Sequence, residues 1–340
     1  MRQLTYVEPG KLQWRDVPEP TIDAPGQAIV RPLAVATCDL DAGLVRGRAP
    51  VPGPFAFGHE VVAEVVAVGA GVRTARPGDR VVVPFQITCG ACDACRRGHG
   101  AVCSGVEPRR AMYGLGAIAR KDWGGAMSDR MLVPYADAML VPLPPGIDPA
   151  AVASCSDNIA DAWRTIVPPL EQRPGASVLI VGGGAPSIGL YAVAIARAVG
   201  AEVHYIDAEP HRAALARELG AEVVEGPPPN RHGRHLVTVD ASAAKDGLHC
   251  AIASTAGEGI CTSVGIYWGG EVGLPLFQMY SNNITFVTGR VSSRAVIPRV
   301  LDLVVSGRLH PERVTTAVVG WSKALDALAR PFTKLVMVPD

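Results

Sequence analysis

Long uncharged apolar runs are missing from this 340-residue sequence. A helix that crosses a bilayer needs about 20 consecutive apolar residues, so the sequence predicts no membrane span and no membrane partner. The first residues, MRQLTY, also lack the apolar core of a secretory signal peptide. We therefore expect a cytoplasmic protein.

A surplus of charge of either sign is missing as well. Lysine and arginine total 32 residues, aspartate and glutamate total 32, and the formal net charge is zero. Because the basic residues are scattered apart from short pairs, a nucleic-acid partner is not expected. Hydrophobic residues make up 48% of the sequence and charged residues 19%, which excludes a disordered chain and provides for the cores of two domains.

Cysteine is scarce, yet four of the eight cysteines are clustered. Cys89, Cys92 and Cys95 are separated by two residues each, and Cys103 follows after seven more. This spacing is typical of a closed tetrahedral site for a structural zinc ion, held in a polar, turn-rich lobe at about residues 86–110. A redox or disulfide cluster is the alternative, which a reducing cytoplasm disfavours.

The pattern of the chain changes near residue 150. Residues 1–150 carry short β-branched runs separated by Pro and Gly turns, which indicates a β-rich antiparallel domain. Residues 151–288 alternate strand-like and helix-like stretches, the pattern of a doubly wound parallel sheet. Residues 289–340 hold one apolar helix and one strand, and we expect them to return to the first domain. The predicted fold class is α/β.

A glycine-rich stretch follows a strand-like run in the second of these regions. Gly182 and Gly184 open it as in a dinucleotide-binding loop, where glycine lets a pyrophosphate approach the backbone at a helix start. The third glycine, Gly189, comes five residues after the second rather than three, so Ala185-Pro186-Ser187 indicates a slightly enlarged loop. We assign Ser187, Ile188 and Gly189 to the same coenzyme site. The alternative is a tight turn between packed elements.

Asp207 ends the next predicted strand, 25 residues after Gly182. A carboxylate at that point accepts both ribose hydroxyls of NAD and repels the 2′-phosphate of NADP. Arg212 follows closely and would weaken this selectivity. We predict NAD rather than NADP, with a simple strand-end cap as the alternative role for Asp207.

Three further residues form a candidate for a second zinc site. Cys38, His59 and Asp157 offer sulfur, imidazole and carboxylate, and a catalytic zinc takes three protein ligands with a fourth position left open. Each has an ordinary structural alternative: Cys38 as a small buried side chain, His59 as a packed histidine, and Asp157 as a helix cap.

The motifs together resemble those of the zinc-dependent medium-chain dehydrogenase/reductase (alcohol dehydrogenase) family. They are Cys38-x-x-Asp41, Gly58-His59-Glu60, the cysteine quartet and the Pro77–Val81 turn, all ahead of a dinucleotide fold. The resemblance covers nearly the whole chain. It implies a GroES-like catalytic domain, a Rossmann coenzyme domain, an active site between them, two zinc ions per chain, and a homodimer or homotetramer.

The resemblance also implies roles for individual residues. Cys38, His59 and Asp157 match the catalytic zinc ligands, with Cys155 as a rival third ligand, and Asp41 matches the carboxylate that orients the zinc-bound imidazole. The remaining matches are an acidic residue behind the metal, a wall of the substrate pocket, and a basic residue that reaches the coenzyme pyrophosphate: Glu60, Phe85 and Lys334.

The implied reaction is hydride transfer between NAD(H) and an alcohol, aldehyde or ketone. The family's proton relay is missing, because Leu40 stands at its hydroxyl position and Gly43 at its histidine position. We hypothesise that Asp161, Asp39 or a zinc-bound water carries the proton, with a helix cap as the alternative role for Asp161.

Other classes of function stay open from the sequence. A reductase of an iminium ion or an activated C=C bond would need no relay to an alkoxide. A zinc-stabilised binding protein would keep the fold without turnover. A zinc-free quinone-reductase-like enzyme would share the fold but lack the cysteine quartet.

Overall fold

The computed structural model describes residues 1–268 and 270–340. They form two compact units. Unit 1 contains residues 1–160, 292–305 and 315–340, and unit 2 contains residues 161–291 and 306–314. The boundaries between the units fall after residues 160 and 291, whereas the sequence placed the domain boundaries after residues 150 and 288. Residues 306–314 lie in unit 2, although the sequence analysis assigned them to the first domain.

The regular elements are as follows. The strands are β1 (Arg2–Glu8), β2 (Lys11–Asp16), β3 (Ala28–Ala36), β4 (Phe55–Ala56), β5 (Glu60–Val68), β6 (Arg80–Val83), β7 (Met131–Val133), β8 (Val141–Pro142), β9 (Val178–Val181), β10 (Val203–Asp207), β11 (Glu222–Glu225), β12 (His235–Asp240), β13 (Thr255–Ser263), β14 (Thr285–Thr288), β15 (Ala317–Gly320) and β16 (Leu335–Val338). The α-helices are α1 (Asp39–Val45), α2 (Asp93–Arg96), α3 (Gly116–Ala119), α4 (Ala136–Met139), α5 (Pro149–Val152), α6 (Asn158–Gln172), α7 (Pro186–Ala198), α8 (Pro210–Glu218), α9 (Lys245–Ala253), α10 (Leu276–Ser281), α11 (Ser293–Val305) and α12 (Ala324–Leu328). Short 3₁₀ helices lie at Gly100–Val102, Ala153–Ser156, Pro311–Val314 and Trp321–Lys323.

Unit 1 is built on a sheet with the strand order β15-β16-β3-β5-β6-β8, with β7 also paired to β3, and on a smaller sheet β2-β1-β4. The antiparallel pair β3 and β5 is rich in Val and Ala and largely buried, and its register ends with Ala36 opposite Glu60. Residues just past this end of the pair are therefore neighbours in space. The return strand β16 reaches the same end, because Val336 pairs with Ala36.

Unit 2 contains a six-stranded parallel sheet with the order β11-β10-β9-β12-β13-β14. In sequence order this is 3-2-1-4-5-6, the arrangement of dinucleotide-binding folds. The central strand β9 is apolar and buried along its whole length, as expected for a parallel strand covered on both faces. The doubly wound parallel sheet predicted from the sequence is confirmed.

The sequence did not predict the hairpin β1–β2. The hairpin β1–β2 has a mixed polar sequence with little alternation, and its pairing from Arg2↔Asp16 to Glu8↔Lys11 gives it order. Helix α6 contains Pro168 and Pro169 near its end, which in a sequence favours a helix stop. Within the described residues, no helix combines the length and apolar character needed to cross a membrane.

Candidate active site and coenzyme site

Cys38 lies at the start of α1, two residues past the paired end of β3. It is the N-cap of the helix, and its Sγ accepts a hydrogen bond from Leu40 N at 3.2 Å. Asp41 completes the cap, because its Oδ2 accepts from Cys38 N at 2.8 Å. The Cys-x-x-Asp spacing thus folds into a capping box that holds a thiol and a carboxylate together.

His59 joins these two side chains from the start of β5. Cys38, Asp41 and His59 each offer a ligand atom, and the three atoms lie within 4.8 Å of one another. All three residues are buried, and His59 Nε2 lies 3.4 Å from Asp157 Oδ2. The structure therefore brings Cys38, Asp41, His59 and Asp157 together, as the sequence led us to expect.

Two atoms of this cluster favour a bound metal ion. Within the described residues, His59 Nδ1 and Asp41 Oδ1 are buried without a hydrogen-bond partner. Buried polar atoms of this kind are rare, and a thiol, an imidazole and carboxylates form a donor set suited to zinc. The residues fit a zinc ion.

The electrostatics of the cluster favour a cation as well. Burial opposes protonation of His59, but its hydrogen bond to Asp157 and the charges of Asp41, Asp157 and Glu60 raise its pKa to about 9. Burial and the carboxylates of Asp41 and Asp157 raise the pKa of the Cys38 thiol well above its usual range. A divalent cation would replace these protons, since zinc binds the thiolate and the neutral imidazole.

Glu60 and Lys334 lie behind this cluster as a buried ion pair. Lys334 Nζ lies 3.0 Å from Glu60 Oε2, and both side chains are completely buried. Lys334 Nζ also donates to the carbonyl of Thr37, and Glu60 Oε1 accepts from Asn158 N at 3.3 Å. Lys334 thus has internal partners here, and its predicted contact with a coenzyme pyrophosphate stays a prediction.

Cys155 and Asp157 occupy different environments. In an extended segment Cys155 and Asp157 would face the same side, but Ala153–Ser156 form a 3₁₀ turn, so that argument for Cys155 does not apply. Cys155 is completely buried, and burial raises the pKa of its thiol. The carboxylate of Asp157 is the group that lies against His59.

The residues at the positions of the family's proton relay are apolar, and an aromatic ring lies beside His59. Phe85 packs against His59, with ring centroids 5.8 Å apart. At the two relay positions stand Leu40 and Gly43, both partly exposed and neither able to move a proton through its side chain.

The four clustered cysteines also meet in space. Cys89, Cys92, Cys95 and Cys103 place their sulfurs within 4.8 Å of one another, and the Cys89–Cys103 and Cys92–Cys103 pairs are 3.6 and 3.9 Å apart. Sulfurs that share a tetrahedral zinc are about 3.8 Å apart, given Zn–S bonds of about 2.3 Å. Backbone N–H groups, chiefly those of Cys95 and Ser104, lower the pKa of Cys92 to about 5. Burial raises the pKa of Cys95 and Cys103 in the same cluster, so the sulfur–sulfur distances are what fit the site to a zinc ion.

The glycine-rich loop of unit 2 is packed too closely for side chains. A Cβ on Gly182 would lie 2.5 Å from Asp207 Oδ2, and one on Gly184 would lie 2.8 Å from Ser242 O. Gly184 N donates to that same carbonyl at 2.7 Å, which fixes the loop on the segment after β12. Ser187 lies in the first turn of α7 with Ile188, and a Cβ on Gly189 would contact Ala241. Helix α7 begins at Pro186, so the loop ends at Ala185 and the predicted extension of the loop to Ser187 is wrong. The glycines keep the close packing of a phosphate-binding turn.

Asp207 ends β10 beside this loop, as predicted, but its carboxylate is heavily engaged. Arg212 binds it with two hydrogen bonds, Nε to Oδ2 at 2.8 Å and Nη2 to Oδ1 at 2.7 Å. Tyr205 Oη donates to Oδ2 at 2.8 Å and Glu209 N to Oδ1 at 2.9 Å. The sequence indicated the position of Asp207 but not this bidentate pair.

Asp161 lies in the first turn of α6, and its carboxylate forms an ion pair with Arg164. Arg164 Nη2 also donates a hydrogen bond to Gly289 O at 2.6 Å. This pair gives Asp161 a structural partner, and its role in proton transfer stays a prediction.

Sequence reasoning missed Asp240, which ends β12 and is completely buried. It accepts hydrogen bonds from Ser242, Ser263 and Tyr267, the last two at 2.6 Å. Because Ser242 O also binds Gly184 N, Asp240 holds the segment on which the glycine loop rests. An aspartate at the end of a predicted strand was the available signal.

Comparison with known proteins gives two family matches. The alcohol dehydrogenase GroES-like domain matches residues 24–145, and the zinc-binding dehydrogenase domain matches residues 187–306. The first match confirms the predicted GroES-like domain.

Individual relatives extend these matches. Glutathione-independent formaldehyde dehydrogenase of Pseudomonas aeruginosa is 35% identical over 234 residues, which are 66% of this chain and 58% of that protein. The similarity thus spans somewhat more than half the length of that relative. A medium chain reductase/dehydrogenase of an Acremonium species is 30% identical over 231 residues, 66% of this chain and 76% of that protein. The solved structure of an alcohol dehydrogenase from Thermus sp. ATN1 superposes with a TM-score of 0.88, at 28% identity and over 100% of both chains.

Proposed function

Because the chain belongs to the zinc-dependent medium-chain dehydrogenase/reductase family, we propose that it is an enzyme that transfers hydride between NAD(H) and an alcohol, aldehyde or ketone. The observation that carries this proposal is the buried cluster of Cys38, Asp41 and His59, with Asp157 against His59. The parallel sheet of unit 2 has the strand order of dinucleotide-binding folds and would bind the coenzyme.

Cys38, His59 and Asp157 would hold the catalytic zinc ion. Bound there, zinc supplies Lewis-acid chemistry, since it polarises a carbonyl and lowers the pKa of an alcohol. Asp41 orients the site, because its hydrogen bond from Cys38 N fixes the thiol and its charge acts on His59. Phe85 presents an apolar ring beside His59 and would exclude water from the substrate side. The cysteine quartet would hold a second, structural zinc.

NAD is the coenzyme that we propose for unit 2. The support is Asp207, whose carboxylate lies next to Gly182 where it would accept ribose hydroxyls. Arg212 neutralises part of its charge and keeps it oriented. Asp207 already accepts hydrogen bonds from Tyr205 and Arg212. For NAD to bind in this way, a ribose hydroxyl must either displace one of these donors or donate an additional hydrogen bond to the carboxylate.

The proton path differs from a hydroxyl relay, because neither Leu40 nor Gly43 carries a polar side chain. Asp39, in the first turn of α1, is the acidic group that we propose within unit 1, and Asp161 is the group that we propose from unit 2. The same absence favours the second candidate function, reduction of an iminium ion or an activated C=C bond, in which no alkoxide oxygen needs a proton.

We also propose that two copies of the chain associate through unit 2. Strand β14 is an edge of the parallel sheet, and α10 before it exposes large apolar side chains. Leu276, Phe277 and Tyr280 are 65%, 84% and 82% exposed. Apolar side chains beside an open sheet edge favour pairing with a second copy. Sedimentation of a Phe277→Glu, Tyr280→Glu variant would show monomer if this surface is the contact and an unchanged oligomer if it is not.

None of the eight cysteines is paired in a disulfide. Closely spaced cysteines that are kept reduced for zinc support the reducing, cytoplasmic location that we propose.

The experiment that tests the function is a nicotinamide-fluorescence screen. NAD(H) and NADP(H) are each combined with primary alcohols, secondary alcohols, aldehydes, iminium compounds and enones, for the wild type and for Cys38→Ser. NAD-linked turnover of an alcohol or aldehyde that Cys38→Ser loses supports the proposal. Turnover of iminium or enone substrates alone would establish the second candidate function, and coenzyme binding without turnover of any class would point to a binding protein.

A further inference from the structure

Three imidazole rings cluster at the amino-terminal edge of the parallel sheet in unit 2, the edge opposite Gly182 and Asp207. His204 is the second residue of β10, His235 is the first residue of β12, and His232 lies in the loop before it. The ring centroids are 4.7 Å apart for His204 and His235, 5.5 Å for His204 and His232, and 5.9 Å for His232 and His235. No role in the proposed reaction uses these residues.

Two carboxylates complete the cluster. Glu202 Oε1 lies 3.1 Å from His204 Nε2, and Glu222 Oε2 lies 3.6 Å from His204 Nδ1. Glu222 is the register partner of His204 on the neighbouring strand β11, so the sheet itself places it there. Glu202, His204 and Glu222 offer ligand atoms within 4.8 Å of one another.

His235 contributes a nitrogen with no internal use. Its side chain is buried, with 5% exposure, and its Nδ1 shares a hydrogen bond with Ser177 Oγ at 2.9 Å. Its Nε2 is buried and has no hydrogen-bond partner within the described residues, and neither has His204 Nδ1.

The separations of the rings fit a shared ion. Zinc lies about 2 Å from each ligating nitrogen, so rings that share one ion have centroids roughly 5 Å apart. An ion triad of protonated His204 with the two glutamates would account for the carboxylates. Such an ion triad does not explain why His235 Nε2 is buried without a hydrogen-bond partner, or why the three rings lie so close together.

We propose that His204, His232, His235 and Glu222 form a binding site for a divalent transition-metal ion such as zinc or nickel. Imidazole with carboxylate is a donor set for these ions. The backbone of the site is already fixed, because His232 N donates to Ser254 Oγ at 2.8 Å and His235 N to Ser254 O at 2.9 Å. The ion would join β10, β11 and β12 and order the loop that carries His232, so its role is to stabilise unit 2.

The test measures zinc on the full-length chain. Wild type, His232→Gln, Glu222→Gln and the control His310→Gln are dialysed against micromolar zinc, and bound zinc per chain is determined by elemental analysis. His310 is an exposed histidine of the same unit, paired with Glu312 and separate from the cluster. Wild type and His310→Gln should bind one more zinc per chain than His232→Gln, and Glu222→Gln should bind that ion roughly tenfold more weakly or worse.

A second readout does not depend on counting ions. Added zinc or nickel should raise the thermal unfolding midpoint of wild type and of His310→Gln, and should leave that of His232→Gln unchanged. His232 and Glu222 are at least partly exposed, so both variants are expected to fold. Equal zinc content in all four proteins, or equal thermal shifts with and without His232, would overturn the proposal.

Discussion

Lys334 Nζ lies 3.0 Å from Glu60 Oε2 in the completely buried centre of unit 1. The two residues are 274 positions apart in the chain. Besides each other, they bind the backbone, Lys334 through the carbonyl of Thr37 and Glu60 through Asn158 N.

Each of these contacts adjoins a proposed ligand of the catalytic zinc. Thr37 precedes Cys38, Glu60 follows His59, and Asn158 follows Asp157. The ion pair therefore holds in place the three chain segments that carry the proposed ligands.

Removing one partner of this pair should be costly. Lys334→Met leaves the Glu60 carboxylate buried without its cation, which we expect to lower the free energy of unfolding by about 3–5 kcal/mol. Denaturant unfolding measures this loss. The control is Arg31→Met, which breaks an exposed pair with Glu64 and should cost less than about 1 kcal/mol. A similar small loss in both variants would show that the buried pair does not position the site.

The cysteine quartet should hold one zinc ion, and removal of that ion should unfold only the lobe around it. Cys95→Ser should lower bound zinc by one ion per chain and make residues 86–110 sensitive to protease, because a closed site gives its lobe its folding energy. Cys250→Ser, a buried thiol of unit 2 outside the cluster, is the control and should keep all its zinc. Unchanged zinc in Cys95→Ser would contradict the structural site.

Asp207 should set the preference for NAD. Replacing it by Asn removes a charged acceptor of ribose hydroxyls, worth about 1.5–3 kcal/mol, so kcat/KM for NAD should fall roughly 10- to 100-fold. The value for NADP should stay the same or rise, because Arg212 is then free of its carboxylate partner. Equal losses with both coenzymes would mean that Asp207 has only a structural role.

Asp137 should contribute stability that depends on pH. Burial opposes ionisation of this carboxyl, but the hydrogen bonds from the Thr74 and Arg73 N–H groups, at 2.9 Å each, and from the Thr74 hydroxyl together lower its pKa below the usual range. A lowered folded-state pKa gives stability that is present above the unfolded pKa and is lost as the pH falls through the folded pKa. Asp137→Ala should cost about 1 kcal/mol near pH 7, and the difference from wild type should narrow in acid. A difference in urea unfolding that stays constant down to pH 3 would refute this.

Much of the site was predictable because its signals are local. The cysteine quartet lies within 15 consecutive residues, and its spacing is typical of a zinc site, so the sequence alone indicated that the four sulfurs meet. Cys38 and Asp41 form one capping box, and Gly182 to Asp207 is one strand–helix–strand unit. In each case short-range geometry relates the sequence to the arrangement of atoms.

The remaining contacts depend on pairings that no short segment encodes. Glu60 meets Lys334 only because β16 returns to pair with β3. His204 meets Glu222 and His235 only through the strand order of the parallel sheet. Asp207 and Arg212 are close in sequence, yet their bidentate contact depends on side-chain conformations that the sequence does not specify. Such contacts needed the three-dimensional structure.

The most direct test of the proposed zinc-dependent dehydrogenase compares two neighbouring substitutions, Asp157→Ala and Cys155→Ala. Bound zinc and NAD-linked turnover are measured on the same preparations, with wild type alongside. The account predicts that Asp157→Ala loses one zinc ion per chain and at least about 1,000-fold in kcat/KM, equivalent to about 4 kcal/mol, whereas Cys155→Ala keeps its zinc and stays within a few-fold of wild-type activity. The opposite pattern, or full zinc and full turnover in Asp157→Ala, would contradict it.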